Sequence, residues 1–219
     1  MHRIKTSSLV NNSCKGGFTL DKHVISSMEM DSVYKLRDAL STRISKILKE
    51  NRQIIFLCIG TDRSTGDSLG PLVGDKLKNF ISDGFSIYGT LENPVHAKNL
   101  CSIIEEINLR YNNPYIVAID ACLGGIQNIG NIVIEDKPLS PGAAMNKQLP
   151  KVGNLSITGI VNISGALEFM VLQNTRLYTV MHIADIISRG IYHSILKTVG
   201  NRKSSNFNLN FSNIVSEFK

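Results

Sequence analysis

The stretch from Ile54 to Pro71, IIFLCIGTDRSTGDSLGP, constrains the fold more than any other part of the chain. It begins with six apolar residues in a row, which is typical of a strand buried on both faces in the middle of a parallel sheet. Gly60 then opens a polar turn, and from Leu69 onward apolar residues recur at the spacing of one helical face. The stretch therefore predicts a strand, a loop and a helix, with the loop at the carboxyl end of the strand.

Two carboxylates, Asp62 and Asp67, lie in this loop, at the edge where open α/β sheets bind their ligands. A second apolar run, Tyr115 to Asp120, also ends in a carboxylate and is followed by the sequence ACLGG, which predicts a flexible turn. If the first three strands are ordered 2-1-3, the first and third are neighbours at the topological switch point. Asp67 and Asp120 would then face one crevice.

The rest of the pattern predicts five strands that alternate with helices, and hence a three-layer α/β/α sandwich around a mostly parallel sheet. The long helix from Leu167 to Ile191 is expected to be interrupted near Asn174 and Thr175. The predicted strands cover 54–60, 85–89, 115–120, 131–135 and 155–161.

One α/β/α domain, residues 31–197, is the expected organisation. Residues 1–30 are rich in Ser, Asn, Lys and Gly and predict a flexible arm, and residues 198–219 predict a polar tail. The net charge is +6, but Lys and Arg are scattered, which argues against a nucleic-acid partner. Four cysteines without a CxxC pair indicate a reduced, cytoplasmic protein, and no apolar run reaches the roughly 20 residues of a membrane span.

A phosphate-binding loop is excluded by spacing. A P-loop has four residues between its glycines and a Lys directly after the second, whereas Gly60 and Gly66 are separated by five and Asp67 follows. A carboxylate at that position would repel the phosphates.

The carboxylate pair has two interpretations from residue types alone. Two carboxyl groups a few ångströms apart resist double ionisation, so that an acid and a base lie side by side and can activate a water against an amide, or the pair can bind a divalent cation. Alternatively, Asp67 complements a helix dipole before an N-cap at Ser68, and Asp120 binds loop amides.

Weaker candidates lie nearby. Cys122 with His96 as base could form a nucleophilic pair, although a buried structural thiol is favoured. His96 could assist chemistry or bind a metal, or could be an ordinary exposed loop histidine. Arg63 could clamp a substrate carboxylate, or form a salt bridge with Asp62.

Six sequence blocks lie between about residues 53 and 190: IGTDRSTGDSLGPLVG, YGTLENPVHA, IDACLG, PGAAMNKQLPKVG, ITGIVNISG and VLQNTRL. Together they resemble the YyaC family of sporulation proteins of endospore-forming Firmicutes. The GDSLGP and IDA segments are also similar, more distantly, to the germination protease and to the hydrogenase maturation endopeptidases, which share an α/β/α fold with a five-stranded mixed sheet.

The resemblance implies roles for individual residues. Asp67 and Asp120 match the two catalytic aspartates of the germination protease, and the corresponding positions of the maturation enzymes bind the nickel of their substrate. Those enzymes add a histidine ligand where this chain has ITGIVNISG, which contains none. This departure favours a metal-free aspartyl mechanism with no cofactor. If a divalent metal does bind, Asp67, Asp120 and His96 are its expected ligands.

The sequence thus predicts a cytoplasmic, sporulation-associated peptidase in which Asp67 and Asp120 activate water against a peptide bond of a spore protein, such as a small acid-soluble spore protein. The alternative is a non-catalytic protein of the same fold that binds a peptide or a metal during spore formation. The residues expected to contact the substrate are Asp62, Arg63, Ser68, His96 and Asn162.

Overall fold

A computed structural model describes residues 22–79, 84–142 and 149–200. Six strands and five α-helices lie in these residues, with a short 3₁₀ turn, Gly66–Ser68, between the second strand and the second helix. In chain order the elements are β1 (Lys22–Ser26), α1 (Ser32–Lys49), β2 (Ile54–Cys58), α2 (Leu69–Leu77), β3 (Phe85–Tyr88), α3 (Leu100–Arg110), β4 (Tyr115–Gly124), β5 (Asn131–Glu135), β6 (Leu155–Ile163), α4 (Glu168–Gln173) and α5 (Leu177–Gly200).

The strands form one mixed sheet in the order β1-β5-β6-β4-β2-β3. β3, β2, β4 and β6 are parallel, whereas β5 is antiparallel to both of its neighbours. The predicted α/β/α sandwich is confirmed. The first three strands of the prediction correspond to β2, β3 and β4, and their predicted order, with β2 between β3 and β4, is confirmed as well. The sheet has six strands in the described residues rather than the predicted five.

The additional strand is β1, which lies within the region predicted as a flexible arm. It pairs antiparallel with β5 along its whole length, from Lys22 opposite Glu135 to Ser26 opposite Asn131. Only Ile25, 5% exposed, is a buried apolar residue of this strand, so the apolar pattern gave little sign of it. β1 is held in the sheet by its backbone hydrogen bonds to β5 and not by burial of apolar side chains. Residues 1–21 of the predicted arm lie outside the described residues.

The sheet buries both of its faces, as the apolar run of β2 predicts. Phe56 and Cys58 pack on one side with residues of α1, α2 and α5, and Ile55 and Leu57 pack on the other side with α3. All five residues of β2 are buried, because helices cover the sheet above and below this strand.

The end of β2 is joined closely to α2. Gly60 has a φ of 144°, which L side chains rarely adopt. A Cβ atom on Gly70 would lie 2.1 Å from the carbonyl oxygen of Ile59. The glycines of GTDRSTGDSLGP therefore let the helix start against the strand end, which fixes the 3₁₀ turn at the carboxyl edge of the sheet.

β4 continues four residues beyond its predicted end. ACLGG was predicted as a turn after Asp120, but Ala121 to Gly124 remain in the strand because β6 extends alongside them. The register is irregular between Cys122 and Leu123, and Gly124 pairs with Ile163. Asp120 consequently lies within a strand and not at its end.

The long C-terminal helix is interrupted where the sequence predicts it. α4 ends at Gln173 and α5 begins at Leu177, and α5 continues to Gly200, three residues past the predicted domain boundary. Residues 201–219 of the predicted tail lie outside the described residues. Among the described helices, none combines the length and the apolar character needed to cross a membrane.

Candidate active site

Asp67 is held by a compact loop after β2. The Thr61 N–H donates to the Asp67 carbonyl oxygen (3.0 Å), and the Asp67 N–H donates to the carbonyl oxygen of Ser64 (3.1 Å). The hydroxyl of the buried Ser68 donates to the carbonyl oxygen of Thr65 (2.7 Å). These hydrogen bonds within the loop fix the backbone at Asp67, and with it the position of the half-buried Asp67 side chain.

Asp120 is the first residue of β4 beyond the end of its pairing with β2. That pairing ends with Cys58 opposite Ile119, and the Ile59 N–H donates to the Ile119 carbonyl oxygen (2.7 Å). The Asp120 side chain is 8% exposed, and its Oδ1 accepts a hydrogen bond from the Ala121 N–H (2.8 Å). The carboxyl group is therefore buried next to the point where β2 stops.

The two carboxyl groups interact. Burial raises the pKa of Asp120 well above its usual range, and the nearby charge of Asp67 raises it further. The hydrogen bond from the Ala121 N–H acts in the opposite direction but is the smallest of the three effects. Of the two carboxyl groups, Asp120 therefore holds its proton more tightly than an ordinary aspartic acid, which is the condition for a carboxyl pair to act as an acid and a base.

A chain of contacts from β6 to α4 supports the 3₁₀ turn. The Asn162 amide nitrogen donates to Thr175 Oγ1 (3.2 Å), and the Thr175 hydroxyl donates to the carbonyl oxygen of Val171 (2.8 Å). A Cβ atom on Gly66 would lie 2.8 Å from both Thr175 Oγ1 and Leu172 Cδ2. Asn162, predicted to contact substrate, thus uses its amide to anchor α4, which packs on the turn that carries Asp67.

Asp62 and Arg63 lie on the exposed outside of the same loop. The Thr61 hydroxyl is 3.5 Å from Asp62 Oδ1 and accepts a hydrogen bond from the Arg63 N–H (3.3 Å). No ion pair joins these two side chains in the described residues. Both charged groups are therefore accessible to a ligand at the rim of the site.

His96 follows a loop segment that pairs with the end of β2 through a bridge between Ile59 and Val95. The His96 N–H donates to Asn99 Oδ1 (2.8 Å), and the ring Nδ1 is buried without a hydrogen-bond partner among the described residues. Within residues 22–79, 84–142 and 149–200, no three His, Cys, Asp or Glu side chains come together as a metal-binding group. The structure therefore does not bring His96 to Asp67 and Asp120 as a third ligand.

Cys122 is a protonated thiol. Burial raises its pKa to about 11, a hydrogen bond with the Thr158 side chain opposes this shift, and the charge that Asp120 carries once it is ionised at high pH adds to it. This environment matches the favoured interpretation of Cys122 as a structural thiol. Thr158 was not singled out from the sequence, because its position opposite Asp120 depends on the register between β4 and β6.

The fold and this site define an α/β/α protein with a pair of interacting carboxyl groups at the carboxyl edge of its central strands. Comparison with known sequences then identifies the family: the chain belongs to the family described as "Protein of unknown function (DUF1256)", whose model matches residues 24–190.

The chain is 46% identical over 170 residues to "Uncharacterized protein YyaC" of Bacillus subtilis (strain 168), with 78% of this chain and 82% of that protein covered. The resemblance to the YyaC family is thereby confirmed. Among solved structures, the chain is similar to the [NiFe] hydrogenase maturation protease HycI from Thermococcus kodakarensis KOD1. The TM-score is 0.45 and the identity 17%, with 65% of this chain and 92% of that chain covered.

Proposed function

We propose that this protein is a peptidase of the sporulating cell that hydrolyses a peptide bond of a spore protein with Asp67 and Asp120, without a cofactor. The observation that carries the proposal is the buried Asp120 carboxyl group, whose pKa is raised by burial and by Asp67. Desolvation of a charged group destabilises a fold, and such perturbed groups cluster at functional sites.

In the proposed reaction, the Asp67 carboxylate takes a proton from a water molecule as the water oxygen attacks the carbonyl carbon of the peptide bond. Asp120, which keeps its proton, donates it toward the carbonyl oxygen and so stabilises the negative charge that develops there. When the tetrahedral intermediate collapses, Asp67 gives its proton to the leaving nitrogen, the hydroxyl formed from the carbonyl oxygen returns its proton to Asp120, and the C–N bond breaks. Water is consumed and both carboxyl groups return to their starting state.

The surrounding residues have different proposed roles. Asp62 and Arg63, exposed at the rim, bind charged groups of the substrate. Ser68 and Asn162 position Asp67 through the 3₁₀ turn and α4. His96 lies in the loop next to the end of β2 and borders the bound chain there. The proposed substrate is a protein of the spore, and the small acid-soluble spore proteins are the first to test.

The experiment compares three aspartate variants on a small acid-soluble spore protein, with fragments identified by mass spectrometry. Asp67→Asn and Asp120→Asn are expected to lower kcat/KM by about 10²- to 10⁴-fold, the contribution of one acid–base group. Asp75→Asn is the control, because it removes a surface carboxylate of α2 that pairs with Lys78 and has no role in the proposed site, and it is expected to change kcat/KM by less than about fivefold. Cleavage is expected to continue in EDTA.

Equal activity of all three variants would refute the carboxylate mechanism. If the wild-type protein binds the spore protein but cleaves no bond in it, the chain is a binding protein of the same fold, and the peptidase proposal fails.

A further inference from the structure

The last four residues of β4, Ala121 to Gly124, are bordered by a strand on one side only. On one side β6 continues to the pair Gly124 and Ile163, and the Ser164 N–H donates to the Gly124 carbonyl oxygen (2.8 Å). On the other side β2 has already ended. In the described parts of the chain, no other strand takes the place of β2, and the segment remains half-buried.

The backbone groups on this open side can be assigned from the hydrogen bonds lower in β4. The Tyr115 N–H bonds to Gln53 and the Ile119 carbonyl oxygen accepts from Ile59, so odd-numbered residues of β4 face β2. Because successive peptide groups of a strand alternate between its two neighbours, Ala121 and Leu123 face the open side. We call these backbone groups of Ala121 and Leu123 the open β4 edge.

The open β4 edge begins at the candidate active site. The Ala121 N–H is bonded to Asp120 Oδ1 (2.8 Å), which places the Asp120 carboxyl group at the edge itself. The carbonyl group of Ala121 and both backbone groups of Leu123 come next along the strand, on the side where the pairing with β2 has ended. A row of backbone donors and acceptors therefore starts next to the reactive carboxyl.

The loop after β2 lies close to β4 at its 3₁₀ turn but does not continue the strand pairing. The Gly60 N–H donates to the Val95 carbonyl oxygen (2.8 Å), on the side away from β4, and the Thr61 N–H bonds back to Asp67 (3.0 Å). The 3₁₀ turn then packs on α4 through Gly66. The chain that leaves β2 thus satisfies its own backbone and does not extend the pairing with β4.

We propose that the open β4 edge binds an extended polypeptide by strand addition, so that the peptide bond next to the paired segment lies over Asp67 and Asp120. This inference rests on the proposed peptidase function and names its mode of substrate recognition. The occupant is a polypeptide because edge groups recur roughly every 6.6 Å along a strand, and another extended backbone repeats its donors and acceptors at that spacing. Recognition then depends on an unfolded segment more than on particular side chains.

A backbone N-methyl scan tests the proposal. Peptides that tile a small acid-soluble spore protein are measured for binding to full-length Asp67→Asn protein, and the tightest one is then methylated at each amide nitrogen in turn. Methylation at edge-facing amides is expected to weaken binding by about tenfold, and at the amides between them by less than about threefold. The expected pattern therefore alternates with a period of two residues.

A pair of protein variants tests the same hydrogen bonds from the other side. Leu123→Pro removes the N–H of the open β4 edge, whereas Leu123→Ala keeps it and removes a similar amount of side chain. Proline is expected to weaken peptide binding by about tenfold relative to alanine. If the proline variant does not fold, the N-methyl scan decides alone.

The outcomes separate this inference from the peptidase proposal. An alternating scan without cleavage by the wild-type protein supports strand addition and refutes the peptidase. Cleavage together with uniform sensitivity to N-methylation refutes strand addition and leaves the peptidase. Failure of every peptide to bind also refutes strand addition.

Discussion

The two central strands, β2 and β4, start level with each other but end differently. β2 has five residues, all buried, and ends beneath the start of α2. β4 has ten residues, of which the last four are half-buried and paired only with β6. The carboxyl groups of Asp67 and Asp120 come together where this difference in length begins. The comparison teaches that a mismatch between neighbouring strands can create a site that neither strand end would create alone.

The packing at the two strand ends differs as much as their lengths. Gly70 lies against the backbone of Ile59, whereas a Cβ atom on Gly124 would approach the side chain of Ile160 at 3.0 Å. Backbone cannot move without disturbing β2, but a side chain can adjust. The end of β2 therefore has no room for an added side chain at Gly70, whereas the end of β4 can accommodate one at Gly124.

The largest expected difference in stability comes from adding one methyl group next to the end of β2 or at the end of β4. Gly70→Ala is expected to destabilise the protein by about 3 kcal/mol and so lower the Tm by about 6–12 °C, whereas Gly124→Ala is expected to cost less than about 1 kcal/mol. Thermal and urea unfolding of the two variants measure the difference. Equal losses would show that the two strand ends are packed alike.

A smaller effect is expected from the pH dependence of Asp120→Asn. The pKa of Asp120 is raised in the folded state, so the folded protein binds this proton more tightly than the unfolded chain does. The stability of the wild-type protein therefore falls as the pH rises from about 4, the ordinary pKa of an aspartic acid, through the higher pKa of the folded state. Asparagine keeps an oxygen acceptor for the Ala121 N–H and has no charge to bury. The variant is therefore expected to melt above the wild type at neutral pH.

The same comparison at low pH is the check. The difference in Tm is expected to vanish near pH 4, where the wild-type carboxyl is neutral in the folded protein. Asp62→Asn, which removes an exposed carboxylate, is expected to follow the wild type throughout. A difference in Tm between Asp120→Asn and the wild type that does not change with pH would mean that the Asp120 carboxyl group is not desolvated at the end of β2.

The smallest effect concerns thiol labelling. Cys101 is exposed, Cys58 is fully buried in β2, and Cys122 is half-buried in the open part of β4. Of these three thiols of the described residues, iodoacetamide at pH 8 is expected to label Cys101 first, Cys122 slowly and Cys58 not at all in the native protein. Because the pKa of Cys122 is about 11, its rate should increase by roughly tenfold per pH unit above 8. Rapid labelling of Cys122 at pH 8 would contradict its burial. Peptide mass mapping gives the three rates.

Much of this comparison could be predicted from sequence, because it depends on long apolar runs. The run from Ile54 and the run from Tyr115 both predicted buried strands, and the βα pattern predicted that they are neighbours. That order was enough to bring Asp67 and Asp120 to one edge. Local sequence patterns were therefore enough to predict that Asp67 and Asp120 lie at the same edge of the sheet.

The rest depended on contacts that a local pattern does not contain. The continuation of β4 to Gly124 is imposed by β6, because ACLGG alone reads as a turn. β1 is likewise held by β5 and not by its own single buried apolar residue. The hydrogen bond of Asn162 to Thr175, and the position of His96 outside a three-ligand group with Asp67 and Asp120, were also beyond prediction, since both depend on loop paths.

The strand β1 has a practical consequence for how the protein can be trimmed. The six-stranded sheet ends in two short strands, β1 and β3, and short edge strands protect a sheet from pairing with other molecules. The family match begins at residue 24, in the middle of β1. A truncated protein that began at residue 24 would lose Lys22 and His23, which pair with Glu135 and with the fully buried Ile134, and would leave this end of the β5 backbone edge unpaired. Such a fragment is expected to aggregate, and a start at or before Lys22 avoids this.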